Sequence, residues 1–226
     1  MGACKNILVA VFGIVLAYFG SNIAYWFLVD GPRCPLPADI QTDYVRKHFD
    51  VRKLQGVWYE LAYHDITQPI SVCGCERSVK HYRPESNHIF DNFTLWCSET
   101  QQYANLTFNL NGHPKGHMHG HWPWLPMIVW PNTIVALGVD KVTDKYNWVI
   151  EFQCVEYFNR VAFTGINFYH KQRFVKDGEL EGMMEIARQQ GLGHWMDSGL
   201  KVHVVNHTGC TYPPVEQNLL ELFEQY

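Results

Sequence analysis

The stretch Phe49-Asp50-Val51-Arg52-Lys53-Leu54-Gln55-Gly56-Val57-Trp58-Tyr59-Glu60 changes character in its middle. Charged and polar residues give way at Gly56 to the aromatic, β-favouring run Gly56-Val57-Trp58-Tyr59-Glu60-Leu61-Ala62-Tyr63. Gly56 allows close passage of a neighbour where a side chain would clash. Trp58 is a large apolar plug whose indole N–H needs an acceptor once buried.

Outward from this run, further β-favouring segments occupy residues 77–83, 88–96, 103–110, 127–138, 146–155 and 161–170. Pro84-Glu85-Ser86-Asn87, Asn111-Gly112, Trp130-Pro131-Asn132 and Thr143-Asp144-Lys145 read as turns. Short strands at this spacing predict an all-β sandwich or barrel. Bulky groups on both faces of 146–154 and 161–169 fit a barrel with one face inward and the other partly covered. A helix is expected at about 178–190, with Asp177 as N-cap, Glu179 and Glu181 in the first turn and Gly191 closing the end. Leu180, Met183, Met184 and Ala187 give it one apolar face for packing on the barrel. Leu200-Lys201-Val202-His203-Val204-Val205 reads as a short final strand, and 211–226 as a loosely held tail.

Of the 226 residues, 47% are hydrophobic, 15% aromatic and only 18% charged, which excludes wholesale disorder. The net charge of −4 argues against a nucleic-acid partner. Residues 7–29 carry no charge and are long enough to cross a bilayer, so 1–29 is either a cleaved signal peptide or a retained signal-anchor. Either places the remainder in the secretory pathway: secreted if the leader is cut, otherwise membrane-anchored through residues 7–29 with the domain outside or lumenal. Residues 30–48 form an N-terminal arm, 49–210 the β domain with its helix, and 211–226 the tail.

Sequons at Asn92, Asn105 and Asn206 agree with that compartment and mark candidate glycosylation sites. Outside the leader, six cysteines (Cys34, Cys73, Cys75, Cys97, Cys154 and Cys210) read as a disulfide framework with fifteen possible pairings.

Cys34-Pro35-Leu36-Pro37 followed by the quoted string resembles the opening of a lipocalin, most closely the apolipoprotein D and bacterial-type branch. The resemblance covers about residues 34–214 and implies an eight-stranded antiparallel up-and-down barrel with one C-terminal helix packed outside. In lipocalins the tryptophan of this motif closes the narrow end beneath a basic residue from the last strands. Here that residue is Lys171, in Phe168-Tyr169-His170-Lys171, where the family usually has arginine. The family's T-D-Y motif appears only as Val139-Asp140-Lys141. The resemblance further implies Cys34–Cys154 and Cys75–Cys210 bridges. Cys73 and Cys97 are then left to pair with each other, unless Cys73 replaces Cys75. Residues 166–214 also resemble the lipocalin core of violaxanthin de-epoxidase. That family has an aspartate before the first-loop cysteine, where this chain has Gly74, so its acid chemistry is not implied.

The fold so implied binds a small hydrophobic ligand, such as a lipid, fatty acid, sterol, retinoid or pigment, without a cofactor and without catalysis. A lipocalin-fold enzyme on an isoprenoid or fatty-acyl substrate, or a membrane-tethered interaction protein with a filled barrel, are the alternatives. Candidate ligand-lining residues are Tyr103, Phe108, Trp122, Trp124, Trp130, Phe152 and Phe168. Parity does not say which strand face points inward. The patch from Gly112 to His121 places His117, His119 and His121 on one face of an extended chain, a spacing suited to metal ligands.

Overall fold

The structure, a computed structural model, describes residue 20 and residues 32–65, 68, 73–97, 100–157, 160–199 and 201–216; side chains are described at these positions except 73, 97 and 100–105. The leader expected at 7–29 and the last ten residues of the tail therefore lie outside the described residues, residue 20 apart.

The chain forms two units. In the smaller, residues 1–34 with 156–162, Val161 N donates to Pro32 O at 3.0 Å and Arg33 pairs with Glu156 at 3.5 Å. The larger comprises residues 35–155 and 163–226.

The arm folds into α1 (Pro37–Ile40) and α2 (Asp43–His48), the second capped by Thr42, whose hydroxyl accepts from Val45 N. A 3-10 turn, Val51–Leu54, follows, capped by Asp50. Ile40, Val45, Phe49 and Leu54 are its buried anchors.

The strands are β1 (Gly56–Asp65), β2 (Cys73–Arg83), β3 (His88–Cys97), β4 (Thr100–Asn109), β5 (His117–Trp122), β6 (Leu125–Val139), β7 (Tyr146–Tyr157), β8 (Arg160–His170) and β9 (His203–Val204). Neighbours pair in sequence order from β2 to β8, and β1 pairs with both β8 and β2, which closes an eight-stranded antiparallel barrel. The seven strands expected before the helix are joined in the barrel by an eighth, β5, in the His-rich patch, and a short final strand forms within the segment at 200–205. That final strand is the two-residue β9, added to β1 beyond the point where β2 leaves it. Trp130-Pro131-Asn132 is no turn. It runs straight through β6, with Pro131 opposite His119, because burial of Trp130 and Asn132 holds the segment extended.

The C-terminal helix α3, Glu179–Ala187, continues in a helical turn over Arg188–Leu192. Asp177 does not cap it; Gly178, at φ 82°, stands at the N-cap, and Glu179 Oε2 accepts from Lys176 N at 3.3 Å. A left-handed turn at Gly191 (φ 84°) ends the regular helix, and a short helix α4 (Gly193–Met196) continues. Met183, Ala187, Leu192 and Met196 are the buried face. Residues 211–216 are strapped down rather than loose: Arg77 donates to Pro213 O at 2.7 Å, and the Tyr212 hydroxyl lies 2.6 Å from His207 Nδ1.

Candidate functional site

Cross-strand partners share a face, so the register assigns every strand residue to one side. Trp58 is paired with Ser78, Ser78 with Phe93, and Phe93 with Ala104. Lys80 is paired with Asp91, Ile89 with Phe108, Phe108 with Gly120, and Gly120 with Trp130. These positions make the inner face.

At the narrow end the inner face is apolar and filled. Trp58 is fully buried among Val45, Phe49, Leu54, Phe108, Ile134, Leu137, Tyr146 and Val149. Its indole N–H donates to Leu54 O at 2.7 Å. Lys171 Nζ sits 3.7 Å from the Trp58 ring centre and donates to Gln55 O at 2.9 Å. Burial, with the charges of Lys80 and Lys145, brings the Lys171 amine down to about 7. The indole π face and the Gln55 carbonyl are the groups that favour its protonated form. Asp140, of the eroded second motif, accepts from Val142 N and Thr143 N and so shapes the β6–β7 turn. Outside this closed end lies a surface cleft of about 750 Å³ that includes Lys145, Lys171, Lys176 and Glu179.

Further along the inner face the chemistry changes. Lys80 is buried and paired with Asp91 at 2.7 Å and Glu151 at 3.2 Å. Burial alone would lower its pKa, but the two carboxylates outweigh burial and hold it above the ordinary lysine value. Asn132 Nδ2 donates to Glu151 Oε2 at 3.0 Å. Beyond these come Glu60, Tyr63, Glu76 and Asn167, with Asn167 Nδ2 donating to Glu60 Oε1 at 2.7 Å. Burial first, then the neighbouring Glu76, raises Glu60 well above the usual carboxyl range. Burial raises Glu76 to about 7, with Asp65 adding to the effect and the neighbouring Glu60 opposing it. Glu60 Oε2, Tyr63 Oη, Asn132 Oδ1 and Asn167 Oδ1 are buried without a hydrogen-bond partner among the described residues. Buried polar atoms are normally satisfied, so orphans along the inner face of a barrel mark a place for a guest or for water.

The seven aromatic candidates do not converge. Phe108 and Trp130 are buried on the inner face. Trp122 is half-buried, 4.6 Å from Trp130 between ring centres, and Trp124 is exposed at the β5–β6 tip beside Met127, Ile128 and Val129. Tyr103 stands opposite Thr94, one step off the inner-face positions; its side chain is not described. Phe152 and Phe168 face outward. Phe152 packs 6.4 Å from Trp195 of α4, and Phe168 is paired with Ala62, which is itself paired with Val204 of β9. Bulky residues on both faces of β7 and β8 hid this parity, because the helical segment buries the outer face as completely as the barrel buries the inner one. The polar residues Glu60, Tyr63, Glu76 and Asn167 carried no sequence signal of their own beyond strand parity.

Cys75 is bonded to Cys210, with Cα atoms 5.5 Å apart. Cys34 and Cys154 are each disulfide-bonded. Cys73 and Cys97 stand opposite each other in the β2–β3 register. Asn92 and Asn206 are exposed. Asn105 is the cross-strand partner of Asn92. Of the histidines on the outer face of β5, His117 and His119 converge with His113 from the β4–β5 connection; His121 is not in the group.

A closed eight-stranded meander, a tryptophan plug at one end and a helix outside the wall leave one architecture. This is the lipocalin fold. Similar solved structures share it: apocrustacyanin C2, with a TM-score of 0.58 and 12% identity over 81% of this chain and 92% of that one; apocrustacyanin C1, at 0.56 and 14% over 80% and 93%; and lobster apocrustacyanin A1, at 0.55 and 12% over 79% and 90%. At these identities the lipocalin likeness speaks for the fold. No protein-family model matches the sequence, and no curated protein matches it.

Proposed function

We propose that the protein is a carrier that holds one small, largely apolar molecule inside the barrel, beyond the Trp58 plug. The observation that carries this is the set of buried, unpartnered polar atoms on Glu60, Tyr63, Asn132 and Asn167, on an inner face otherwise lined by Phe93, Leu95, Phe108 and Trp130. Apolar burial supplies the affinity, at about 25 cal/mol per Å², and the polar set orients one end of the guest. Two amide oxygens that accept, beside a tyrosine hydroxyl and a raised-pKa carboxyl that can both donate and accept, suit a hydroxyl head, which does both. The neighbouring Glu76 and Asp65 disfavour a carboxylate head. Among sterol, retinoid, pigment, lipid and fatty-acid guests, the reading favours neutral hydroxylated molecules over free fatty acids. The disulfides, the exposed sequons at Asn92 and Asn206 and the apolar leader support a secretory-pathway location, secreted or membrane-anchored.

Organic extraction of the purified full-length protein, followed by mass spectrometry, tests the reading. It expects one apolar, hydroxylated molecule per chain, and saturable quenching of tryptophan fluorescence when such molecules are added back. Absence of both overturns it. The enzyme alternative rests on one observation, the adjacent Glu60 and Glu76 carboxyls with raised pKa values, which are poised to hand over a proton. It requires that the wild type, and not a Glu60→Gln/Glu76→Gln variant, return the extracted molecule chemically changed.

A further inference from the structure

We propose that His113, His117 and His119 form a binding site for a divalent transition-metal cation of the zinc class on the outer face of the barrel. Each residue offers one ring nitrogen, and the three nitrogens lie within 4.8 Å of one another. Ring centres of His113 and His119 are 4.0 Å apart, and His117 stands 5.4 Å from each. Around a tetrahedral zinc, with Zn–N distances of about 2.0–2.1 Å, such nitrogens sit about 3.3 Å apart. Rotation of the half-buried His113 and His119 rings toward His117 would close that difference.

The backbone is set for it. His117 and His119 alternate with Met118 and Gly120 on β5, so the inward positions are core and the outward ones are imidazoles. His113 is brought over them by a tight connection. His117 N donates to Pro114 O at 3.0 Å, and Gly116 adopts φ +69° where a Cβ would meet Val45 Cγ1 at 2.7 Å. Gln41 Nε2 fastens the same turn from the arm by donating to Lys115 O at 2.9 Å. His117 Nδ1 lies 2.8 Å from Thr133 Oγ1, which fixes that ring and leaves Nε2 for a metal, the outer-shell arrangement ligating histidines commonly have. Lys115, the one fixed positive charge in this connection, is turned away, its Nζ donating to Lys47 O at 2.9 Å. Three nitrogen donors leave the fourth position for water or an outside ligand. The site lies on the opposite side of the β5 wall from the proposed guest and does not depend on it.

Isothermal titration of Zn²⁺ into tag-free full-length protein tests the site, with Co²⁺ as the spectroscopic probe. The expected result is one ion per chain, an intense visible absorption of tetrahedral Co²⁺, and a rise in unfolding temperature with added zinc. His113→Ala and His119→Ala each lower the affinity at least about tenfold and abolish the thermal shift, and Thr133→Val weakens binding by about 10–100-fold. His121→Ala, on the same face but outside the trio, leaves the affinity unchanged. Absence of saturable binding to the wild type, unchanged affinity in His113→Ala and His119→Ala variants that unfold at the wild-type temperature without metal, or an equal loss in His121→Ala overturns the assignment.

Discussion

A Cβ placed on Gly56 would lie 2.8 Å from the Nζ of Lys171. The lysine reaches that point because it spans the foot of β1 to bond Gln55 O while resting on the Trp58 ring. Gly56 also holds φ at +113°, outside the range that side-chain-bearing residues adopt readily. One residue therefore meets two demands: a backbone conformation, and room for the amine that covers the plug.

Gly56→Ala is expected to destabilise the domain by about 1–3 kcal/mol. Urea unfolding measures it. In Gly56→Ala/Lys171→Ala the steric part is relieved and the backbone part remains, so the double variant loses less than the two single losses added together. Strict additivity would show that the lysine and the glycine do not share the same space.

Lys80→Met leaves Asp91 and Glu151 buried beside each other without their cation. A loss of about 3–5 kcal/mol is expected, far more than the pair itself contributes. Replacing all three together with Met, Leu and Leu is expected to recover most of that loss, because the desolvation of three charges is then avoided. Equilibrium denaturation of both variants provides the comparison.

Glu60 and Glu76 make the stability depend on pH. Their folded pKa values lie above the ordinary 4.5: Glu76 at about 7, through burial and then Asp65 against the opposing effect of Glu60, and Glu60 raised in the same direction, through burial and then Glu76. Between those limits the folded chain holds protons that the unfolded chain has released, so the contribution of Glu76 is complete below pH 4.5 and is lost as pH rises through about 7, with Glu60 acting in the same direction. The unfolding midpoint of the wild type, less that of Glu76→Gln, is expected to fall between pH 5 and pH 8, within about that window. A difference that climbs across the interval contradicts the assignment.

The Cys75–Cys210 bridge spans 135 residues of sequence. Cys75→Ser/Cys210→Ser is expected to lose about 2–5 kcal/mol, and guanidinium unfolding under non-reducing conditions measures it. The bridge also fastens the segment carrying His207, whose Nε2 lies 2.8 Å from Glu60 O. Faster hydrogen exchange along β1 from Glu60 onward should accompany its removal.

The strands, the plug residue Trp58 and the order of elements were legible in the amino-acid sequence because they are local: period-two patterning, turn residues between runs, and a glycine two residues before a buried tryptophan. The histidine segment reads as extended but not as a barrel strand, because its outward positions are imidazoles and its inward ones include Gly120, whose missing side chain makes room for Phe108 and Trp130. Tertiary structure alone decided which face of β7 and β8 points inward, since α3 and α4 bury the outer face and erase the alternation of polar and apolar residues. It alone brought Glu60, Glu76 and Asn167 together, and added His113 to His117 and His119 in place of His121. Sites of this kind are made by register and chain crossing, which join residues whose spacing along the sequence carries no trace of their meeting.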